Sequence, residues 1–488
     1  MEWTEAQIDG ISRAFSYRQA LGCPVCRAPI SAEEEPGGTG SRKVVAFLCS
    51  GCGRKARLPF MTIGPEDFIH KPFTRCPACG EERFGLLSVY GDSYAKRCAA
   101  CLHSDTYSLP ALRKTVIYLD QPAISNMMFV VNPETPQFKE RRVDPFWFAL
   151  FGKLDRLSKL QLIVCPDTDV QEEESLVHMD FEALRHMYEQ LSHGVTFYDA
   201  ATIERFQLQM HARNWLAGRP EDPPDLQRER IVHGDLNGWI DVLHIAVRGR
   251  VTGEQIEALR ATRGRTHEGI ARVFEKWRGE TGLPFEAWFE REVAAAGRTI
   301  LQIYDERVRR LAEAQMRLRV PSMEDFEHPQ AVVVVTMIQN DFEESGLTPE
   351  EALRKAREYL SSASLRHVPS IKISAMLWAS IARKAAAGRR RPPSQGSFND
   401  IKVIASILPY CDALFIDNEM CGYLQEQPLV TDLRYGARVF CQNSRDEFLA
   451  YLDEVERAAQ PEHVALVKRV YGENWGQPYT GIFGGKKA

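Results

Sequence analysis

Two uninterrupted apolar runs in this chain each end on an acid: Val116 to Leu119 run into Asp120, and Ala413 to Ile416 run into Asp417. Short runs without polar alternation read as strands buried on both faces, as in a parallel sheet. Leu160 to Cys165 and Ala437 to Cys441 read as two more strands of the same kind. Helical spacing fills the stretches between. Phe148, Phe151, Leu154 and Leu157 recur every three or four residues over 144–160. After Cys165, Asp167 or Thr168 is placed to cap a helix whose apolar face is Val170, Val177, Phe181 and Leu184. Near the other end, Ile401, Ile404, Ala405 and Leu408 share one face of a helix that Pro409 stops, and Ser444 is the expected cap of the amphipathic run SRDEFLAYLDEVERAA. Strand and helix in alternation with short loops predict parallel pairing through right-handed crossovers.

This alternation breaks off over about 181–365, where the pattern is mainly helical. Phe289, Val293, Ala296, Ile300, Tyr304, Val308, Leu311 and Leu318 form one narrow apolar stripe, able to pack on the sheet domain or on a second copy in a homo-oligomer. The intramolecular arrangement is the expectation. Thr348, Pro349 and Glu351 spell a capped helix start. Loops are expected at 217–225, at 387–397 and in the Gly-rich tail after Trp475.

Length and charge narrow the classes. A chain of 488 residues corresponds to roughly three domains at about 150 residues each. With 44% apolar and 26% charged residues it has the composition of an ordinary globular protein. The first residues lack a basic segment followed by an apolar core, and the longest apolar run, 331–335, is far too short to cross a bilayer. A cytoplasmic protein without membrane contact is the expectation. A net charge of −5 argues against indiscriminate binding to nucleic acid while leaving room for a local basic cleft.

Cysteine usage divides the chain. Eight of twelve cysteines form four CxxC pairs, Cys23/Cys26, Cys49/Cys52, Cys76/Cys79 and Cys98/Cys101, with 22 residues between the first two pairs and 18 between the last two. A CxxC knuckle offers two thiolates to one ion, and two knuckles complete the four-thiolate shell that structural zinc takes. Two tandem zinc ribbons are expected over 1–110, folding when metal-loaded. Such ribbons commonly contact nucleic acid or protein. Phe47, Phe60, Phe73, Phe84 and Tyr90 are suited to stacking on bases, but a small module needs them first for its own core. Cys165, Cys411, Cys421 and Cys441 stand singly among apolar residues and read as small buried hydrophobes.

The acids carry the chemistry. In open α/β sheets ligands bind outside the carboxyl ends of the strands, where Asp120 and Asp417 fall. Asp400 opens the late helix, and Glu172, Glu173 and Glu174 follow the second strand. Each has a plain structural reading: Asp400 at the positive end of its helix, Asp417 capping a turn with Asn418, the glutamates on a solvated face. Asp120 is harder to explain without a partner, because an acid directly after VIYL is costly to bury alone. Carboxylates gathered in one cleft repel each other unless a cation neutralises them, and oxygen-only donors suit Mg²⁺ or Mn²⁺. Arg389, Arg390 and Arg391 lie just before this helix and are placed either to grip a phosphate backbone or to form a solvated loop.

Together these acids resemble the constellation of PIN-domain nucleases, over residues 111–180 and 366–460. The resemblance implies a Rossmann-like parallel sheet flanked by helices, in which Asp120 matches the first acidic position, Asp400 the third and Asp417 the acidic end of the late strand, with Asp412 a further candidate. The glutamate position falls within Glu172 to Glu174; Glu174 is favoured because it lies one turn from Val170. The chain departs from the family at Gln121 and Pro122, where a hydroxyl residue and Asn often stand, and at Ile416, where Ser or Thr is usual. The implied organisation is α/β: zinc ribbons at 1–110, a sheet domain in two parts at 111–180 and 366–488, and a helical insertion at 181–365. The implied activity is Mg²⁺- or Mn²⁺-dependent hydrolysis of phosphodiesters, in RNA rather than DNA, by a regulated enzyme of a toxin-like or antiviral kind that meets a protein partner through the ribbons or the insertion. The competing class is a zinc-ribbon adaptor or nucleic-acid-binding protein whose sheet domain is catalytically inactive.

Overall fold

The computed structural model describes residues 3–16, 20–35, 42–61, 68–132, 144–176, 181–241, 257, 268–316, 329–394 and 396–477. Val177, Leu318, Gln395 and the tail from 478 onward lie outside them. The chain divides into two units, Met1–Leu109 with Arg469–Gly472, and Pro110–Lys468 with Glu473–Ala488.

The first unit holds two small antiparallel sheets. β1 (Ile30–Glu35), β2 (Arg42–Cys49) and β3 (Lys55–Met61) pair in chain order, and so do β4 (His70–Thr74), β5 (Phe84–Tyr90), β6 (Ser93–Cys98) and β7 (Ser104–Ser108). Trp3, just before the helix Glu5–Ser16, and Ile11 within it pack with Val45 and Phe47 to give the first sheet its core. In the second sheet Phe84 packs with Cys76 and Cys98, and Leu86, Val89 and Tyr94 are buried as well. The expected use of aromatics for core holds at Phe47 and Phe84 but not at Phe73 and Tyr90, which are 43% and 85% exposed. Tyr90 ends β5 at the turn into β6 and stands in solvent. The side chain of Phe60 lies outside the described set.

The second unit is mixed α/β. Its sheet contains β8 (Thr115–Leu119), β9 (Ile163–Val164), β12 (Ala413–Phe415) and β13 (Arg438–Phe440), ordered β13-β12-β8-β9 with every pair parallel. Alternation along the strands sends side chains to opposite faces. Ile117, Leu119, Ala413 and Phe415 face one core with the helices Gln121–Val131, Pro145–Lys159, Phe181–Ser192 and Arg445–Arg457. Val116, Tyr118, Leu414 and Ile416 face the other, with Ala200–Leu216, Phe285–Met316, Gln330–Glu344, Pro369–Ala386 and Ser397–Ile407. The helical segment after residue 181 therefore packs directly on the sheet, Phe181–Ser192 on one face and Ala200–Leu216, Phe285–Met316 and Gln330–Glu344 on the other. Two residues each of β10 (Thr196–Phe197) and β11 (Val232–His233) form a separate antiparallel pair.

Several local expectations are revised. The run Leu160 to Cys165 contributes only two strand residues: Leu160 ends the preceding helix, and Gln161 takes a left-handed turn at φ 62°. In that helix the buried face is Trp147, Leu150, Phe151, Leu154 and Leu157, leaving Phe148 half exposed. After Thr168 the described residues form the helices Asp169–Leu176 and Phe181–Ser192, and the Thr168 hydroxyl accepts from the Gln171 amide as the cap of the first. Ser444 precedes its helix without capping it; its hydroxyl accepts from the Cys441 amide instead. Thr348 and Glu351 do form the reciprocal capping box. On the long helix Phe285–Met316, Trp288, Phe289 and Val293 are buried while Val308 and Leu311 are exposed, so intramolecular packing covers only its first half. The apolar run 331–335 lies within the helix Gln330–Glu344, and among the described residues no helix is long and apolar enough to cross a membrane.

Candidate functional site

The first unit carries two four-cysteine clusters, Cys23, Cys26, Cys49 and Cys52, and Cys76, Cys79, Cys98 and Cys101. All four CxxC segments fold alike. The residue after the second cysteine is left-handed in each, Arg27 and Leu102 at φ 62°, Gly53 at 65° and Gly80 at 80°. Its amide donates to the first cysteine's carbonyl at 2.9 to 3.1 Å. That turn aims both thiols to one side. Sulfur pairs across the knuckles stand 3.7 Å (Cys23–Cys52), 3.4 Å (Cys26–Cys49), 3.7 Å (Cys76–Cys101) and 3.7 Å (Cys79–Cys98) apart. The edge of a tetrahedron with metal–sulfur bonds of about 2.3 Å is roughly 3.8 Å, so the donor set and its spacing fit zinc. Both clusters can hold zinc ions and are compatible with zinc ribbons. Cys165, Cys411, Cys421 and Cys441 are buried thiols that belong to neither cluster.

In the second unit three acids converge. Ligand oxygens of Asp120, Asp400 and Asp417 lie within 4.8 Å of one another. Sheet topology accounts for two of them. β8 and β12 are adjacent and parallel, with Leu119 paired to Phe415, so the residues after each strand emerge side by side. Both aspartates then cap helices: Asp120 Oδ1 accepts from the Gln121 amide, and Asp417 Oδ1 from the Glu419 and Met420 amides. Pro122 in the first turn suits that start, because it lacks an amide hydrogen the helix could not have used. Asp400 comes from the first turn of Ser397–Ile407, which packs on the second sheet face through Ile401 and Ile404.

The carboxylates are poorly compensated. Asp417 Oδ2 is buried with no hydrogen-bond partner among the described residues. Burial first, then its acidic neighbours Asp120, Asp417 and Glu174, pushes the Asp400 carboxyl up to about 9. Burial likewise raises Asp120 to about 7, with Asp417 and Glu174 adding to it against the Gln121 amide, and burial raises Asp417. Lined by these acids with Gln171, Glu174 and Asn399 is a void of about 10 Å³, room for one water-sized body. Oxygens around an octahedral ion at about 2.1 Å are at most roughly 4.2 Å apart. The triad's oxygens, all within 4.8 Å of one another, are close to that span. An all-oxygen donor set with a small void and an orphaned carboxylate oxygen fits a hard divalent cation.

Glu174 lies at the edge of the void, where its Oε1 accepts from Asn399 Nδ2 at 2.8 Å, while Glu172 and Glu173 are exposed. Asp412 is placed elsewhere. It precedes β12, at the opposite end of the sheet from the triad, accepts from the Val116 amide and pairs with Arg228 at 2.8 Å. Its position in the register, before the strand rather than after it, decides this. Of the basic run, Arg389 is turned onto Glu419 at 2.7 Å and onto Tyr423, and Arg390 and Arg391 are exposed. Three contributors escaped the sequence reading. Asn399 orients Glu174, Gln171 ties its helix to β8 by donating to the Leu119 carbonyl at 2.5 Å, and Glu419 adds negative charge near Asp400 and Asp417. Their only sequence signal is adjacency to the acids.

No protein-family model, curated protein or solved structure matches the chain.

Proposed function

We propose that the second unit is a Mg²⁺- or Mn²⁺-dependent nuclease of the PIN type, acting on RNA in preference to DNA. The observation that carries this is the convergence of Asp120, Asp400 and Asp417 at the carboxyl ends of parallel strands, with Asp417 Oδ2 unpartnered. A site built only for stability would pair that oxygen or replace the acid. Asp120, Asp400 and Asp417 would hold the cation and fix its position against the rigid sheet. A divalent ion in such a site supplies charge stabilisation for a scissile phosphate and activation of water. Glu174, held by Asn399 at the rim, is the group placed to accept the proton of the attacking water. The preference for RNA, and a regulated role of the toxin-like or antiviral kind, rest on the family resemblance of the acidic pattern alone.

Incubation of the purified protein with labelled RNA and DNA, with Mn²⁺, with EDTA and with Asp120→Asn, tests the reading. Cleavage of RNA that needs Mn²⁺ and disappears with the substitution is the expected result. Cleavage surviving both treatments overturns the mechanism, and no cleavage of either polymer favours a zinc-ribbon adaptor with an inactive sheet domain.

A further inference from the structure

The second sheet of the first unit leaves one of its faces open. Along β5 and β6, alternation sends Phe84, Leu86, Lys96 and Cys98 to the buried face, and Gly85, Ala95 and Arg97 to the other. β7 adds Ser104 and Thr106 to that other face, opposite Arg97 and Ala95, and both are exposed. Phe73 of β4 lies there too: a Cβ at position 85 would fall 2.7 Å from its ring and 2.5 Å from the His70 carbonyl oxygen. Glycine at 85 is what lets the ring rest on the strand. The ring is 43% exposed and has no aromatic partner among the described residues. Tyr90, paired with Ser93, closes the same face at the far end of β5 and is 85% exposed.

Positive charge gathers at the contact of Phe73 with Gly85. Arg97 is the cross-strand partner of Gly85, Arg83 stands two residues before Gly85, and Arg75 two residues after Phe73. None of the three has an acidic partner among the described residues. Arg97 Nε is buried without a hydrogen-bond partner there, while Arg75 and Arg83 are exposed, with Arg75 Nε donating to the Gly80 carbonyl at 3.3 Å. Neutralisation of the cysteine thiolates does not account for Arg97, which alternation turns to the face opposite Cys98.

We propose that this face binds single-stranded nucleic acid, with one base stacked on Phe73, the adjoining phosphates on Arg75, Arg83 and Arg97, and a further base on Tyr90. The inference goes beyond the nuclease reading and does not depend on the acidic centre. An exposed ring beside unpaired guanidinium groups complements a nucleobase and its phosphates, and base–aromatic stacking tolerates any sequence. A duplex offers the phosphates but keeps the faces of its bases stacked. A protein partner would call for an apolar centre to the contact. Where β5, β6 and β7 pair, they place no aliphatic side chain larger than Ala95 on this face.

Fluorescence anisotropy of a short labelled oligonucleotide, titrated with the zinc-loaded full-length protein, tests this. The oligonucleotide is offered as single-stranded RNA, single-stranded DNA and duplex, with no Mg²⁺ or Mn²⁺ added. Binding of the single strands at least about tenfold tighter than of the duplex is expected. Phe73→Ala should weaken the single strands about tenfold, a stacked base being worth about 1–3 kcal/mol, and Phe73→Trp should restore them. Arg97→Gln should lower the slope of log affinity against log salt by about 0.7, the share of one phosphate on a single strand. Tyr90→Ala, at a position that stands in solvent, leaves the fold intact and should weaken the single strands at least about threefold. Duplex bound as tightly as single strands, no binding of any oligonucleotide, or titrations unchanged in Phe73→Ala, Arg97→Gln and Tyr90→Ala would overturn the proposal. Single-strand binding that persists in Asp120→Asn, without cleavage by either protein when Mn²⁺ is added, would leave this face standing and remove the nuclease reading. Mn²⁺-dependent cleavage together with titrations that ignore all three variants would do the reverse.

Discussion

The backbone amide of Asp120 donates to the carbonyl of Phe415 at 2.9 Å, and the Asp120 carboxylate in turn meets the amide of Asp417. The two aspartates are thereby locked to one another by the strand ladder and not by long flexible side chains. Each keeps one oxygen on the first turn of its following helix, which leaves the pair little freedom to move apart when charged. Repulsion built into rigid backbone is relieved by a proton or by a cation.

Asp120→Asn isolates that repulsion. Asparagine retains the oxygen that caps the helix Gln121–Val131, so the helix start is preserved while one negative charge is removed. The metal-free protein is expected to gain about 1 kcal/mol of stability, in the usual range for relief of a strained functional site. Its Mn²⁺ affinity, measured by calorimetry, should fall at least about tenfold, and cleavage should fall about a hundredfold or more. Destabilisation of the metal-free form would mean that Asp120 is a structural acid.

The pH dependence has a definite sign. The ordinary carboxyl value is 3.8, and the folded values of Asp120 and Asp400 lie near 7 and 9. From about pH 4 to about pH 9 the folded protein holds protons that the unfolded chain has released, so this pair makes metal-free stability fall as pH rises through that window. Below about pH 4 both states are protonated and the pair contributes no slope. Cation binding must displace those protons, so Mn²⁺ affinity should rise over the same range. Thermal melts at about pH 5.5 and about pH 8.5, with and without Mn²⁺, should show stabilisation by the ion that is larger at the higher pH. Equal stabilisation at both would place the ion elsewhere.

The three glutamates are separable by substitution. Glu174→Gln should reduce kcat by about a hundredfold, as for a lost general base, while changing Mn²⁺ affinity less than about threefold. Glu172→Gln and Glu173→Gln, on the exposed side of the same helix, should leave activity within about twofold. Asn399→Ala, which removes the hydrogen bond to Glu174 Oε1, is expected to lower kcat by less than Glu174→Gln does. A large loss at Glu172 or Glu173 would reassign the proton acceptor.

The sheet, its two acid-bearing strands and the cysteine clusters were legible because each has a local signature. An apolar run ending in Asp120 or Asp417, and CxxC at ribbon spacing, leave few alternatives. What escaped depends on contacts between distant segments. Asp412 and Asp417 are both acids near one strand, and only the register of Ala413 opposite Ile117 places the first at the wrong end, where Arg228 takes it. Phe148 and Phe151 are equally apolar, yet the core that the helix Arg445–Arg457 shares with Phe151 decides which of them is buried. Asn399 could not be distinguished from any polar residue before Asp400 until Glu174 was seen beside it.

Zinc content tests the first unit on its own terms. Four thiolates per cluster and sulfur spacings of 3.4 to 3.7 Å lead to two zinc ions per chain, one in each cluster. Cys49 ends β2 and is buried, so Cys49→Ser should lower the bound zinc to one per chain and unfold the first sheet, whose remaining core of Trp3, Ile11, Ile30, Val45 and Phe47 is small. Cys98→Ser at the end of β6 should do the same to the second sheet, where Phe84 packs against Cys76 and Cys98. Cys165→Ser, outside both clusters, should leave the zinc count at two. Replacement of zinc by Co²⁺ should produce the absorption of tetrahedral thiolate coordination at two equivalents, falling to one in either cluster variant. Retention of two metals in Cys49→Ser would show that the knuckles do not pair as their geometry requires.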